Sequence, residues 1–292
     1  MRIQTFLLLF LTCLPLLAQQ HGMGMGQGMG RGGGGGGGMM HGRMMGVLPK
    51  SMPSADNPST PAKIDLGRML FYEPRLSTSG TISCNSCHGL DTYGVDNKPV
   101  STGHNNQVGN RNSPTVYNAA GHIAQFWDGR AVNVEEQAKG PVLNPVEMAM
   151  PGDKEVVAKL KSIPGYVAAF RKAFPGETDP VTFDNMAKAI GVFERNLVTP
   201  SRWDRFLAGD NKAISQDEMQ GHHEFMHNGC ATCHNGPYVG GGMFQKLGAK
   251  KAWTATDDIG RFGVTKSEAD RMVFKVPSLR NIAKTGPYFH NG

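Results

Sequence analysis

The sequence is poor in long hydrophobic runs, in clustered charge and in cysteine. Its longest apolar run, residues 6–17, is too short to cross a bilayer, and no later stretch approaches the required length, so no membrane span is expected. Lysine and arginine are scattered, and the formal net charge is only +6 in 292 residues, which gives no indication of a nucleic-acid partner. Convincing alternation of apolar and polar residues is also missing, so the sequence predicts a mainly α-helical fold.

The first 50 residues have two different compositions. Residues 1–18 begin with Met1-Arg2, continue with the apolar run and end at Ala18, which is typical of a secretory signal peptide. Cys13 inside the run leaves lipidation as an alternative, although the residues before it fit that signal poorly. Residues 19–50 are rich in glycine and methionine, which predicts a flexible tether. Its thioethers and imidazoles leave copper binding open as an alternative.

Four of the five cysteines form two copies of one pattern. The copies are Cys84-Asn85-Ser86-Cys87-His88 and Cys230-Ala231-Thr232-Cys233-His234. Two thiols at this spacing form thioethers with the two vinyl groups of one porphyrin, and the following histidine binds the iron. Each copy therefore predicts a covalently attached c-type haem, and such attachment after export indicates the bacterial periplasm.

Two other interpretations of these cysteines remain as alternatives. A zinc site usually has its paired cysteines much closer in sequence, and the two histidines would be superfluous. A thioredoxin-like redox pair would explain one Cys-x-x-Cys step but not two that are each followed by histidine.

Helix signals divide the remainder into two parts. Thr60-Pro61 predicts the start of a helix, and the apolar residues at 183, 186, 190, 193 and 197 predict a core helix that closes the first part. Ser215 and Glu218 form a capping box that opens a helix running toward Gly229. We therefore expect two cytochrome c-like domains, residues 51–199 and 200–292, each around one haem.

The polar segment from Gly103 to Met148 contains more special residues than packing requires. Its motifs are Gly103-His104-Asn105, Arg111 to Thr115, Gln125 to Arg130, Glu136-Gln137-Ala138 and Pro145 to Met148, and Val276 to Asn281 and Gly286 to Gly292 follow later. With these motifs, the chain from about Pro58 onward closely resembles the bacterial dihaem cytochrome c peroxidase family, whose relatives include the tryptophan-modifying dihaem enzyme of methylamine dehydrogenase maturation.

The resemblance implies a role for each matched residue. His88 and His234 would be the proximal iron ligands, and His104 the distal ligand that leaves the first iron on activation. Glu147 would be the catalytic acid–base, with Gln137 as its partner in the distal pocket, since cleavage of a peroxide O–O bond needs a group that moves a proton between its oxygens. Trp127 would lie between the haems, where packing alone is the alternative explanation.

The resemblance also implies partners and a metal ion. Asn112, with the backbone oxygens of Thr285 and Pro287, would bind calcium. The expected activity is reduction of hydrogen peroxide with electrons from a small cytochrome c or cupredoxin, in a homodimer. A non-enzymatic dihaem electron carrier and a dihaem oxidase of protein side chains remain alternatives. In the family the distal ligand of the second haem lies beyond the position of Gly292, so the C-terminal domain is expected to be truncated.

Overall fold

The computed structural model describes residues 45–248, 251–255 and 257–292, and this part of the chain is mainly helical, as predicted. Its helices are α1 (Pro61–Phe71), α2 (Cys84–Cys87), α3 (Val134–Leu143), α4 (Asp153–Lys161), α5 (Pro164–Ala173), α6 (Phe183–Glu194), α7 (Arg202–Leu207), α8 (Gln216–His227) and α9 (Phe262–Thr265). Short 3-10 turns are found at Pro74–Leu76, Leu90–Thr92, His104–Asn106, Ala119–Gly121, Cys230–Thr232, Glu268–Asp270 and Ile282–Lys284.

The helix starts follow their sequence signals. The Thr60 side chain accepts a hydrogen bond from the Lys63 backbone N–H at 3.2 Å, and Pro61 occupies the first turn of α1. The predicted capping box opens α8, where the Ser215 side chain and Glu218 bond to each other's backbone N–H groups. Both predicted starts are therefore confirmed.

The main core lies where α1 packs on α6. Leu70 of α1 and Met186 and Ile190 of α6 are completely buried, as is Phe170 of α5, which belongs to the same core. Gly67 allows the close approach of the two helices, because a Cβ at this position would lie 2.0 Å from the Ala189 carbonyl oxygen. The predicted core helix thus exists as α6, but it ends at Glu194, so Leu197 lies beyond it.

One small sheet follows the second cysteine motif. Strands β1 (Phe244–Lys246) and β2 (Val273–Lys275) are antiparallel, with Phe244 opposite Lys275. The sequence did not predict them, because three residues are too few to show a period and all three residues of β2 are buried.

The N-terminal predictions fall mostly outside the described residues. These are the signal peptide at residues 1–18, Cys13, and the tether as far as residue 44. The last six residues of the predicted tether are described, and in them Met45 and Leu48 are buried while the Leu48 N–H donates to Asp204 Oδ1 at 2.8 Å. Packing therefore begins before the predicted boundary at residue 50.

The described residues after the tether all belong to one unit of internal contacts. A division at residues 199 and 200 stays a prediction. Among the helices of the described part, none has the length and apolarity needed to cross a membrane.

Candidate active site

The first cysteine motif forms one helical turn and a histidine with a fixed orientation. Cys84 and Cys87 are the first and last residues of α2, and His88 follows it directly. The Nδ1 atom of His88 lies 3.4 Å from the carbonyl oxygen of Gly94. Because a carbonyl can only accept a hydrogen bond, this contact puts the proton on Nδ1 and leaves Nε2 with the lone pair that a metal needs.

The second motif repeats this arrangement. Gly229, with φ at +77°, lies two residues after the end of α8 and leads into the turn at Cys230–Thr232. His234 Nδ1 lies 3.1 Å from the carbonyl oxygen of Pro277, so its Nε2 is again the free nitrogen. The carbonyl groups of Gly94 and Pro277 that orient the two histidines could not be predicted from the sequence, because every residue has a backbone carbonyl group.

Burial shifts the titration of several groups in the two motifs. None of the four motif cysteines forms a disulfide within the described residues. Burial raises the pKa of Cys84 to about 12 and also raises that of Cys87, so both stay protonated. Burial lowers the pKa of His88 and of His234, which favours the neutral imidazole that binds iron. No group of three or more His, Cys, Asp or Glu able to hold a metal ion occurs in the described part, so the zinc alternative gains no support.

The structure brings His104 and Glu147 together. The His104 backbone N–H donates to the Glu147 carbonyl oxygen at 2.8 Å. Gly103 makes this approach possible, because a Cβ there would lie 2.1 Å from the Val146 carbonyl oxygen. The buried Nδ1 atom of His104 has no hydrogen-bond partner among the described residues. A buried imidazole nitrogen without a partner is consistent with a histidine that binds a metal or another ligand.

The Glu147 carboxyl lies in a protected polar setting. Burial raises its pKa, while a hydrogen bond from the Asn144 amide at 2.7 Å and the positive charge of Arg130 act in the opposite direction. Arg130 is held by Asp128 at 3.1 Å and lies over the Phe126 ring at 3.4 Å. A carboxyl whose pKa is raised by burial is suited to accept a proton and return it.

Gln137 lies on α3, two turns before Asn144. Residues at this spacing share one side of a helix, and the Phe126 ring packs against Gly140 between them. The structure thus places Gln137 on the same side of α3 as the amide that holds Glu147.

Trp127 connects two distant parts of the chain. Its Nε1 donates to the Asn112 carbonyl oxygen at 2.9 Å, and its own carbonyl oxygen accepts from the Lys275 N–H at 2.8 Å. These bonds fix the position of the half-buried indole.

Asn112 lies near the turn that carries the other two predicted calcium ligands. Its amide donates to the Lys98 carbonyl oxygen at 2.8 Å, and its backbone N–H donates to the His290 carbonyl oxygen at 2.7 Å. The neighbouring Asn97 amide donates to the carbonyl oxygen of Gly286 at 2.9 Å, between Thr285 and Pro287. The three predicted ligands are therefore tied to adjoining segments.

An ion-pair network next to these residues was not predicted. Arg111 binds Asp128 at 2.6 Å and Asp258 at 2.6 Å. Arg111 directly precedes Asn112 in the sequence, and Asp128 directly follows Trp127. The ion pair therefore helps to fix the positions of Asn112 and Trp127. In the sequence, the one signal for this network is that Arg111 belongs to the motif from Arg111 to Thr115.

Comparison with known proteins gives a consistent result. The family model for di-haem cytochrome c peroxidase matches residues 61–212. Cytochrome c551 peroxidase of Nitrosomonas europaea is 50% identical over 241 residues, which cover 82% of this chain and 71% of that protein. The Pseudomonas aeruginosa protein of the same name is 51% identical over 233 residues, covering 78% of this chain and 67% of that one.

Relatives of a second kind also match. Methylamine utilization protein MauG of Methylorubrum extorquens is 39% identical over 249 residues, covering 84% of this chain and 69% of that protein. Among solved structures, a MauG-like protein associated with microbial copper homeostasis has a TM-score of 0.75 and 31% identity, over 84% of this chain and 77% of that one. The family match and these identities show that this chain belongs to the di-haem cytochrome c peroxidase family.

Proposed function

We propose that this chain is a periplasmic cytochrome c peroxidase that reduces hydrogen peroxide to water. Each turnover takes one peroxide, two electrons and two protons and releases two water molecules. The observation that carries the proposal is the junction of His104 and Glu147 in a chain 50% identical to a cytochrome c551 peroxidase. The electrons come from a small cytochrome c or cupredoxin, and the working form is a homodimer.

Two c-type haems are the proposed cofactors, one in each of two cytochrome c-like domains. Cys84 and Cys87 hold the first and Cys230 and Cys233 the second, with Nε2 of His88 and of His234 as the iron ligands. When bound, haem supplies a redox-active iron at which peroxide is reduced. The Cys-x-x-Cys-His spacing of both motifs and the free Nε2 atoms of the two histidines support this assignment.

Glu147 is the proposed acid–base residue. Its carboxylate takes a proton from one peroxide oxygen and delivers it to the other, which leaves as water. The nearby Arg130 charge favours the ionised carboxylate that begins this cycle. Gln137 orients the peroxide from the same side of α3, and Trp127 assists electron transfer between the haems.

His104 is the proposed gate of the site. In the resting protein the His104 imidazole would help to hold the first haem, and the turn at His104–Asn106 would have to move to admit peroxide. That turn is held to the Glu147 segment by the backbone hydrogen bond from His104 to Glu147, so its opening also changes the surroundings of the acid–base residue.

A calcium ion is proposed at Asn112, Thr285 and Pro287. An amide oxygen and two carbonyl oxygens suit this hard cation. The hydrogen bonds from Asn97 and Asn112 to the adjoining segments support the site, because they limit how far these segments can separate.

The test is peroxide turnover by the full-length, haem-loaded protein, with one haem reduced and calcium present. We expect Glu147→Gln to lower kcat by about 10²- to 10⁴-fold, the usual contribution of a positioned acid–base group, with unchanged haem spectra. Glu136→Gln is the matched control, because Glu136 is exposed on α3.

The outcomes separate the alternatives. If Glu147→Gln turns over like the parent, Glu147 is not the acid–base residue. If the parent itself reduces no peroxide although a donor reduces both haems, the non-enzymatic electron carrier is favoured. The MauG relatives support a side-chain oxidase as the second candidate, which would oxidise a protein substrate in preference to the small donor.

A further inference from the structure

None of the residues of helix α8 is buried. On its inner side, the His222 ring lies 5.0 Å from that of Trp203, and the Phe225 ring lies 6.5 Å from that of His234. The adjoining face carries Met219, His223, Met226 and His227, which we call the Met/His stripe, and of these Met226 is half-buried while the other three are exposed. Their spacing of four, seven and eight residues from the first places them on one face of a helix.

The two histidines of the stripe already lie side by side. The ring centroids of His223 and His227 are 4.1 Å apart with an angle of 49° between the planes. Both residues are exposed, so no packing has to be broken to turn the rings toward a shared ligand. Histidines four residues apart on a helix can in this way offer two imidazole nitrogens to one metal ion.

The charge around the stripe favours a cation. Helix α8 contains Asp217, Glu218 and Glu224 and no lysine or arginine, and of these carboxylates Glu218 is paired with Arg202 of α7. The histidines lie in its last two turns, where the carbonyl ends of the helix dipole attract positive charge. The Gln220 side-chain amide donates to the Glu224 carboxylate at 2.8 Å, so this carboxylate is held on α8 next to the stripe.

The ligand types select the metal. Imidazole suits copper, zinc and nickel, whereas thioether sulfur suits Cu(I), and at a site of given ligands Cu(II) binds more tightly than the other divalent first-row metals. A set of two imidazoles and two thioethers can therefore hold copper in either oxidation state.

We propose that the Met/His stripe of α8 binds one copper ion on the protein surface, through residues other than those of the two haem motifs. His223 and His227 hold Cu(II), with water completing the coordination. On reduction by one electron from an added reductant, Met219 and Met226 retain the resulting Cu(I). The proposal does not depend on the peroxidase activity.

The experiment is titration of the full-length, haem-loaded protein with Cu(II), followed by copper EPR. We expect one copper ion per chain with nitrogen hyperfine structure from two imidazoles. His223→Gln and His227→Gln should each lose this signal and the associated binding. Because both side chains are exposed, circular dichroism and the haem spectra of these variants should match the parent.

A matched control removes the two histidines of the N-terminal segment, His21 and His41, by the same substitution and leaves the stripe intact. This variant should keep the two-imidazole signal. The proposal is overturned if the parent takes up no copper, if both stripe variants bind copper as the parent does, or if the control variant loses the signal while the stripe variants keep it.

Discussion

At the scale of single residues, two buried carboxyl groups at one end of α6 have opposite titration behaviour. Burial raises the pKa of Glu194 to about 8, and the nearby charge of Glu135 adds to the effect. Burial also opposes ionisation of Glu135, but hydrogen bonds from Arg195 and Asn57 outweigh it and hold the pKa of Glu135 below its ordinary value. The difference arises because the guanidinium binds both oxygens of Glu135, at 2.9 and 2.8 Å.

Glu194 therefore predicts how stability depends on pH. The folded protein keeps the Glu194 proton up to about pH 8, whereas the unfolded chain releases it near pH 4.3. Between these values the folded state binds more protons, so the free energy of unfolding should fall as pH rises. Glu194→Gln should flatten this fall, as measured by the thermal midpoint of the haem-loaded protein from pH 5 to 9. The control Glu136→Gln should keep the parent's slope, and an unchanged slope in Glu194→Gln would refute the assignment.

The residues of the candidate site were predictable only where local chemistry fixes the spacing. Two thioethers and one iron ligand need Cys-x-x-Cys-His, so Cys84, Cys87 and His88 are recognisable from sequence alone. The Gly94 and Pro277 carbonyl groups that orient the histidines are not, because a backbone oxygen has no sequence signature. His104, Glu147 and Gln137 were accessible only through resemblance to a family.

At the scale of elements, the contact of α1 with α6 depends on the absence of one side chain. Gly67→Ala would place a Cβ 2.0 Å from the Ala189 carbonyl oxygen and 2.8 Å from Phe193 Cβ. To relieve this clash, one of the two helices would have to shift. We therefore expect the free energy of unfolding to fall by about 1–3 kcal/mol.

Gly221→Ala in α8 is the matched substitution, because no atom lies within 4 Å of a Cβ there. It should instead gain up to about 1 kcal/mol from helix propensity. Chemical denaturation of both variants measures the two changes. Equal effects in the two variants would show that α1 and α6 do not pack as closely as described.

The elements themselves were predictable where they carry capping signals. Thr60-Pro61 and the Ser215 capping box placed α1 and α8. The pair of β1 and β2 was missed because its stability comes from contacts between residues about 30 positions apart, which no local pattern records.

At the scale of the whole described part, ion pairs join residues that are far apart in sequence. Arg280 binds both oxygens of the buried Asp204, at 2.6 and 2.9 Å, and the same carboxylate accepts from the Leu48 N–H. Arg111 joins Asp128 and Asp258 in the same manner. Such pairs were unpredictable from sequence, since many acidic residues could have served each arginine.

The proposed calcium ion acts at this same scale, since it would bind segments near residues 112 and 286. Its removal by a chelator should lower the thermal midpoint of the parent, because a ligand that binds only the folded state stabilises it. Without any chelator, the Asn112→Ala variant should already have a thermal midpoint as low as that of the calcium-free parent. Added calcium should not raise it. Asn97→Ala loses a comparable amide bond to the same turn but no proposed ligand, so its midpoint should fall and still respond to calcium. If Asn112→Ala responds as Asn97→Ala does, the calcium-binding oxygen atoms lie elsewhere in the protein, and the two segments are held together by their hydrogen bonds alone.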